Sequence, residues 1–370
     1  MDAPGADIFQ ARHERLRESL AAAGLDGLVI TSLPNITYLT GLTASAAEAV
    51  VTARGVWLVT DGRYALPLQA TAEALPGLVA REVQPGRSHD ETLAVVIAES
   101  GAGRLGFEGG HISVRRFRGL EAAAGAGVSW VETFEMVELL RAVKDAWEVT
   151  ALREGGARLS EAAKCILSNA LAGLTEREVA RRIEAELVRV GFSRLAFDTI
   201  VAAGPNAALP HYRAGMRTLA TGDIVVLDFG GVWKGYAVDL SRTLVLGPSN
   251  AEQRRWLDAV AGAQDAAIAA VRPGAAPESV DAAARDHLEK AGLGRYFTHS
   301  TGHGLGLEVH ELPRVGRWRP GVTEPPLAAG MVLTVEPGVY VAGEGGVRIE
   351  DDVLVTPGGR ELLTDVPRMM

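Results

Sequence analysis

The stretch that most restricts what this chain can become is 225–247, VVLDFGGVWKGYAVDLSRTLVLG. Two runs of alternating apolar residues flank a turn near Trp233-Lys234-Gly235, the pattern of a β-hairpin. One carboxylate interrupts each run, Asp228 in the first and Asp239 in the second. A two-residue loop at 233–234 makes them direct partners, and one at 234–235 makes them diagonal neighbours. Either arrangement puts both on one face. Directly opposed Cβ atoms lie about 4.5–5.5 Å apart. Two ionised carboxylates that close repel, more so when buried, so a positive group is expected between them.

A second hairpin repeats the feature. MVLTVEPGVYV and VRIEDDVLVT flank the glycine-rich connection AGEGG, with Glu336 and Glu350 on the two strands, centred on Gly343. Residues 299–310, HSTGHGLGLEVH, crowd three of the eight histidines (His299, His303, His310) among glycines. With His303 added, four carboxylates and an imidazole are expected on the inner side of one sheet. That donor set suits two divalent cations, Mn²⁺ first, with Zn²⁺, Co²⁺ and Fe²⁺ also compatible. Two such ions about 3.5–4 Å apart can share a hydroxide and polarise a carbonyl. Singly, each signal has an ordinary explanation: an edge or bulge aspartate, a turn glutamate before Pro-Gly, a structural histidine. Together they are hard to explain as ordinary solvated side chains.

At 370 residues the chain is too long for one typical core, and two domains are expected, 1–137 and 138–370, with the linker near 138–145. The first part alternates helix and strand patterns: IFQARHERLRESLAAAG, LDGLVITS, GVWLVTDGRY, ALPLQATAEAL. It reads as a small α/β domain with a mixed sheet. The second part reads as α+β. Capping boxes at Asp145/Glu148, Thr175/Glu178 and Ser249/Glu252 open helices there, and another helix ends at Gly292. Net charge is −9 with no basic stripe, which argues against nucleic acid. No apolar run approaches the ~20 residues of a membrane helix. The single cysteine, Cys165, and the lack of a signal-peptide pattern suggest the cytoplasm.

These motifs resemble the pita-bread metallopeptidases that cleave Xaa-Pro bonds, aminopeptidase P and prolidase, relatives of methionine aminopeptidase and creatinase. RHERLRESLAAAGLDGLVITSLPNITYLTG and DGRY resemble the creatinase-type N-terminal domain. LDFGGVWKGYAVDLSRT, HSTGHGLGLEVHE, VLTVEPGVY and GGVRIEDDVLVT resemble the four catalytic motifs in order. The implied fold is a small α/β creatinase-type domain followed by a catalytic domain of curved antiparallel sheet with helices. The resemblance implies that Asp228 binds one metal, Asp239 and Glu350 bridge two, and His303 and Glu336 complete the second. Glu336 would also serve as general base. It further implies that His310 and His211 contact substrate near the scissile carbonyl, that His299 walls the pocket, that Arg348 supports the metal ligands and that Tyr340 lies near the metals. Small peptides with proline at the second position and a homodimer are implied as partners. SRT replaces the usual TRT but keeps the hydroxyl, and residues 314–326 form a longer loop than the shortest in the family. His13, His89, His111 and His287 match no motif and read as structural or solvated.

Creatinase itself uses no metal, and five intact ligands argue against that reading. Methionine aminopeptidases usually lack the N-terminal domain. A non-catalytic pita-bread binding protein would show replaced ligands, and none is visible. The expected activity is that of a dinuclear Xaa-Pro aminopeptidase, with Xaa-Pro dipeptidase as the alternative. A dipeptidase must hold the terminal carboxylate, and Arg314, Arg317 and Arg319 follow His310. The rim segment TSLPNITYLTGLTAS carries no charge for that task, which favours the aminopeptidase.

Overall fold

Alternating apolar and polar strands need helices or second sheets to cover them, and the chain meets this need twice. The computed structural model describes residues 4–169, 171–317 and 324–368. It divides into two compact units, Met1–Arg141 and Ala142–Met370.

In the first unit, the strand Gly27–Ile30 pairs parallel with Arg104–Glu108 and antiparallel with Ala47–Thr52. Six strands form this mixed sheet. Ala47–Thr52 also pairs antiparallel with Gly55–Asp61, so it supplies the antiparallel members. Its sequence, AEAVVT, lacks clean alternation because it is buried on both faces. The uncharged segment TSLPNITYLTGLTAS forms a helix over Leu33–Thr40. Buried Glu108 caps its start, accepting from the Thr31 and Ser32 amides at 2.6 and 2.8 Å.

In the second unit, Ala146–Leu167 and Glu176–Arg189 begin at the expected capping boxes. The third box sits one residue later than expected. Asn250 accepts from the Gln253 amide, and Gln253 Oε1 accepts from the Asn250 amide at 3.0 Å. An Asn/Gln pair closes the same reciprocal bonds as Ser/Glu, and Glu252 instead accepts from Trp256 Nε1 at 2.9 Å. All strand pairs here are antiparallel, as expected, but they fall into more than one sheet. Ile224–Trp233 and Tyr236–Val245 lie in a four-stranded sheet, while Gly302–Gly304, Val332–Val335 and Asp351–Thr356 lie in a five-stranded one. The helices Ala251–Ala270 and Pro277–Lys290 bury Val260, Ala263, Val280 and Ala284 in one core with Val335, Val339 and Val353.

Candidate metal centre

The first hairpin turns at Lys234-Gly235, both with positive φ (51° and 88°), a conformation glycine adopts without strain. Trp233 therefore faces Tyr236, Asp239 faces Gly230, and Asp228 faces Ser241. The two aspartates are diagonal neighbours on one face, the second of the two registers the sequence allowed. Both are buried.

The second hairpin keeps a single register on either side of an interruption. Val335 faces Asp351 before it and Gly338 faces Arg348 after it. Glu336 and Glu350 fall in the gap, where Pro337 has no N–H to continue the ladder. Their amides turn elsewhere: Glu336 donates to Thr301 O, just before the strand Gly302–Gly304, at 2.8 Å and Glu350 to Ser241 O at 3.1 Å. The sequence places the four carboxylates on one sheet, but the structure does not: they lie on separate sheets. They meet where separate sheets adjoin.

His303 arrives on the short strand Gly302–Gly304. A Cβ at Gly302 would lie 1.9 Å from Thr334 O, and one at Gly304 would lie 2.0 Å from Leu312 O. The glycines around His303 are there because its strand is wedged between two others.

Ligand atoms of Asp239, His303 and Glu350 all lie within 4.8 Å of one another. His303 Nε2 is 3.4 Å from Glu336 Oε1. Asp228 Oδ1, Asp239 Oδ1 and Glu350 Oε1 are buried oxygens without a hydrogen-bond partner. Arg348 pairs with the other oxygen of Asp228. Arg348 Nε also donates to Ser241 Oγ at 2.9 Å, and that hydroxyl donates to Glu350 Oε2 at 2.8 Å. Burial, then repulsion from Asp228, holds the Asp239 carboxyl well above its ordinary range. Burial and the charge of Asp239 do the same to Glu350. Burial pushes Glu336 up to about 8. Burial, with the charge of His310, lowers His303 to about 4, so its imidazole is neutral. His303 Nδ1 lies 2.9 Å from Gly304 O, which can only accept, so Nδ1 carries the proton and Nε2 offers a lone pair. Unpartnered buried carboxylate oxygens around a neutral imidazole fit divalent cations and fit little else.

Of the pocket residues expected from sequence, His211, His299, His310 and Arg348 line a cavity of about 420 Å³ together with all five proposed ligands. Tyr340 stands behind the wall. Arg348 donates to the Tyr340 hydroxyl at 2.8 Å, and His299 Nε2 lies 2.9 Å from it. His299 Nδ1 faces Ser300 O and must donate, so Nε2 accepts from Tyr340. Burial lowers His299 to about 4. The remaining histidines are elsewhere: His13 bonds to Leu39 O, His89 to Glu48 and His111 to Thr31, and His287 packs on Gly262.

Phe197, Asp198 and Arg213 are among the lining residues that escaped the sequence reading. Phe197 and Asp198 sit where the edge pairing with Ile224–Trp233 slips by two residues: Leu195 faces Gly231, but Ile200 faces Asp228. Such a bulge re-aims side chains. Asp198 carried the same signal as Asp228, a carboxylate breaking an apolar strand, FDTIVAAG. Arg213 lies two residues after His211 and had no such mark.

Residues 150–357 match the family model for metallopeptidase family M24, and residues 12–143 match that for the creatinase/prolidase N-terminal domain. The chain belongs to metallopeptidase family M24. It is therefore a hydrolase of a family that uses divalent metal ions and acts on peptides. An uncharacterised peptidase of Bacillus subtilis, YqhT, is 36% identical over 96% of this M24 chain and 98% of its own. The solved Xaa-Pro dipeptidase from Bacillus anthracis superposes with a TM-score of 0.91 at 32% identity, covering 98% of this chain and 100% of its own. The X-Pro aminopeptidase from Thermotoga maritima gives 0.85 at 30% identity, over 97% and 99%. No helix among the described residues is long and apolar enough to cross a membrane.

The raised carboxyls predict how the metal-free M24 enzyme responds to pH. A carboxyl whose folded-state pKa is raised stabilises the fold below its unfolded-state value, and that contribution is lost as pH rises through the folded value. For Glu336 the window runs from 4.5 to about 8, with Asp239 and Glu350 acting in the same direction. Thermal unfolding in chelator should therefore show a midpoint falling by several degrees across that window. Added Mn²⁺ should reverse most of the fall, since the metal replaces the protons. A midpoint that rises with pH in chelator would contradict the proposed electrostatics.

Proposed function

We propose that this M24 enzyme hydrolyses the bond between an N-terminal residue and a following proline, using two divalent cations held by Asp228, Asp239, His303, Glu336 and Glu350. The observation that carries the reading is the set of unpartnered buried oxygens on Asp228, Asp239 and Glu350, gathered with neutral His303 on one cavity. Bound there, the cations would polarise the scissile carbonyl and acidify the attacking water. Glu336, beside His303, would accept a proton from an attacking water. His310 and His211 donate from the cavity wall to the charge developing on the carbonyl oxygen. Neutral His299, held by Ser300 and Tyr340, shapes the wall. Arg348 and Ser241 orient Asp228 and Glu350. A prolyl bond has no N–H, so recognition falls to the cavity walls. The donor set favours Mn²⁺, and the resemblance and lone cysteine favour a cytoplasmic homodimer.

For peptide length we propose an aminopeptidase. Arg314 is engaged by Glu324 at 2.9 Å, and Arg317 is 71% exposed and 4.0 Å from Asp281. Neither supplies a committed carboxylate clamp, and Arg319 lies outside the described residues. One observation favours a dipeptidase: Arg213 lines the cavity, is exposed, and makes no hydrogen bond or ion pair to the described residues. The test compares kcat/KM for an Xaa-Pro dipeptide and an Xaa-Pro-Yaa tripeptide with the same Xaa. The tripeptide is expected to be cut at least as well. If only the dipeptide is cut well, the enzyme is a prolidase, and Arg213→Ala should then remove the preference.

A further inference from the structure

His211 has no hydrogen bond of its own to the described residues, although it lines the cavity. Its position must come from the backbone that carries it. That backbone leaves the strand Ile200–Ala203, passes through a 3₁₀ turn at Gly204–Ala208, and continues as irregular chain past Gly215. Irregular chain at a cavity wall holds a side chain only as well as it is itself held.

One buried carboxylate holds it at four points. Glu176 is the first residue of the helix Glu176–Arg189 and has no exposed surface. Its Oε1 accepts from the Ala203 amide at 3.0 Å and from Asn206 Nδ2 at 2.8 Å. Its Oε2 accepts from the Tyr212 hydroxyl at 2.9 Å and from the Gly215 amide at 3.1 Å. These donors mark the start, the 3₁₀ turn, the residue beside His211 and the far end of one segment. Asn206 Nδ2 is also 2.9 Å from the Tyr212 hydroxyl, so the donors are tied to each other. A glutamate in a first helical turn ordinarily serves the helix, where it complements the dipole. Here the capping box is already closed by Thr175 and Glu178, and both Glu176 oxygens are turned away to residues 203–215.

We propose that Glu176 is a positioning residue: by fixing residues 203–215 it sets where His211 stands on the cavity wall. This rests on the peptidase reading for its kinetic consequence but not for its structural one. A carboxylate is the only side chain of this length that accepts at both ends. Glutamine at 176 would present an NH₂ to two of the four donors.

Glu176→Gln is expected to keep its bound Mn²⁺ and to lose about 10–100-fold in kcat/KM on an Xaa-Pro peptide, the scale of losing a partner that orients a reacting group. The decisive reading is a double-mutant cycle. In the His211→Ala background, Glu176→Gln should cost little more, because both changes act through one side chain. Equal losses in both backgrounds would overturn the proposal, as would undiminished activity of the single variant. Amide hydrogen exchange supplies a second reading that needs no activity. Residues 203–215 should exchange faster in Glu176→Gln than in the parent, and unchanged protection there overturns the proposal. If the metal-loaded parent cuts no Xaa-Pro peptide, the peptidase reading fails while the exchange experiment still decides on Glu176. Tyr212→Phe removes a single donor and should loosen the same segment to a lesser degree, which keeps the test open if Glu176→Gln does not fold.

Discussion

Glu350→Gln is expected to empty the metal centre and to lower activity by more than about 10³-fold. Partners that only orient a ligand typically cost 10–100-fold, and Glu350 is itself one of three residues whose ligand atoms cluster within 4.8 Å. Its Oε1 is buried without a partner. The same substitution should raise the stability of the metal-free protein. Burial and the charges of Asp239, Glu336 and Asp228 disfavour the ionised form of Glu350, so folding must either bury that charge or take up a proton, and a neutral isostere removes that cost. Glutamine can still accept from Ser241 Oγ, which now donates to Glu350 Oε2 at 2.8 Å, and it can offer its NH₂ to the neighbouring carboxylates. Loss of function with gain of metal-free stability is the signature of a site strained in the absence of its ligand. Metal content by mass spectrometry and unfolding in chelator would check both halves. Full metal occupancy in Glu350→Gln would remove it from the ligand set, and Asp239→Asn should behave alike.

Much of this centre is legible in the sequence because strand periodicity is strict. Two carboxylates at matching offsets from a turn must share a face, and the structure leaves Asp228 and Asp239 diagonal across Lys234-Gly235. The same counting relates Glu336 to Glu350 around Gly343. What periodicity could not reveal depends on long-range amides. The break at Pro337 sends the Glu336 and Glu350 N–H groups to Thr301 and Ser241, which separates the sheets. Asp198 carries a strand-breaking carboxylate signal, but where it points depends on a two-residue slip in the edge pairing. Glu176 looks like a first-turn helix glutamate until its four donors, 27 to 39 positions away, are seen. The strand Ala47–Thr52 was missed because a doubly buried strand has no reason to alternate.

His310→Ala is expected to separate binding of metal from catalysis. His310 lies next to His303, with ring centroids 4.2 Å apart, and lines the same cavity. His303 does not depend on it for orientation, since Nδ1 is held by Gly304 O at 2.9 Å. The variant should therefore retain metal at the parent level. Its kcat should fall about 10²–10³-fold, the scale of removing one donor aimed at charge that develops only in the transition state. KM should change far less, because a donor that acts on the transition state adds little to ground-state binding. Burial and the charge of His211 lower the His310 pKa, while Asp228 raises it. His310 is thus held near neutral form, and it donates as an imidazole. If His310→Ala instead empties the centre, the division of the glycine-rich strip into one ligand and two wall histidines is wrong. In that case His310 would have to reach the metals that His303 was assigned.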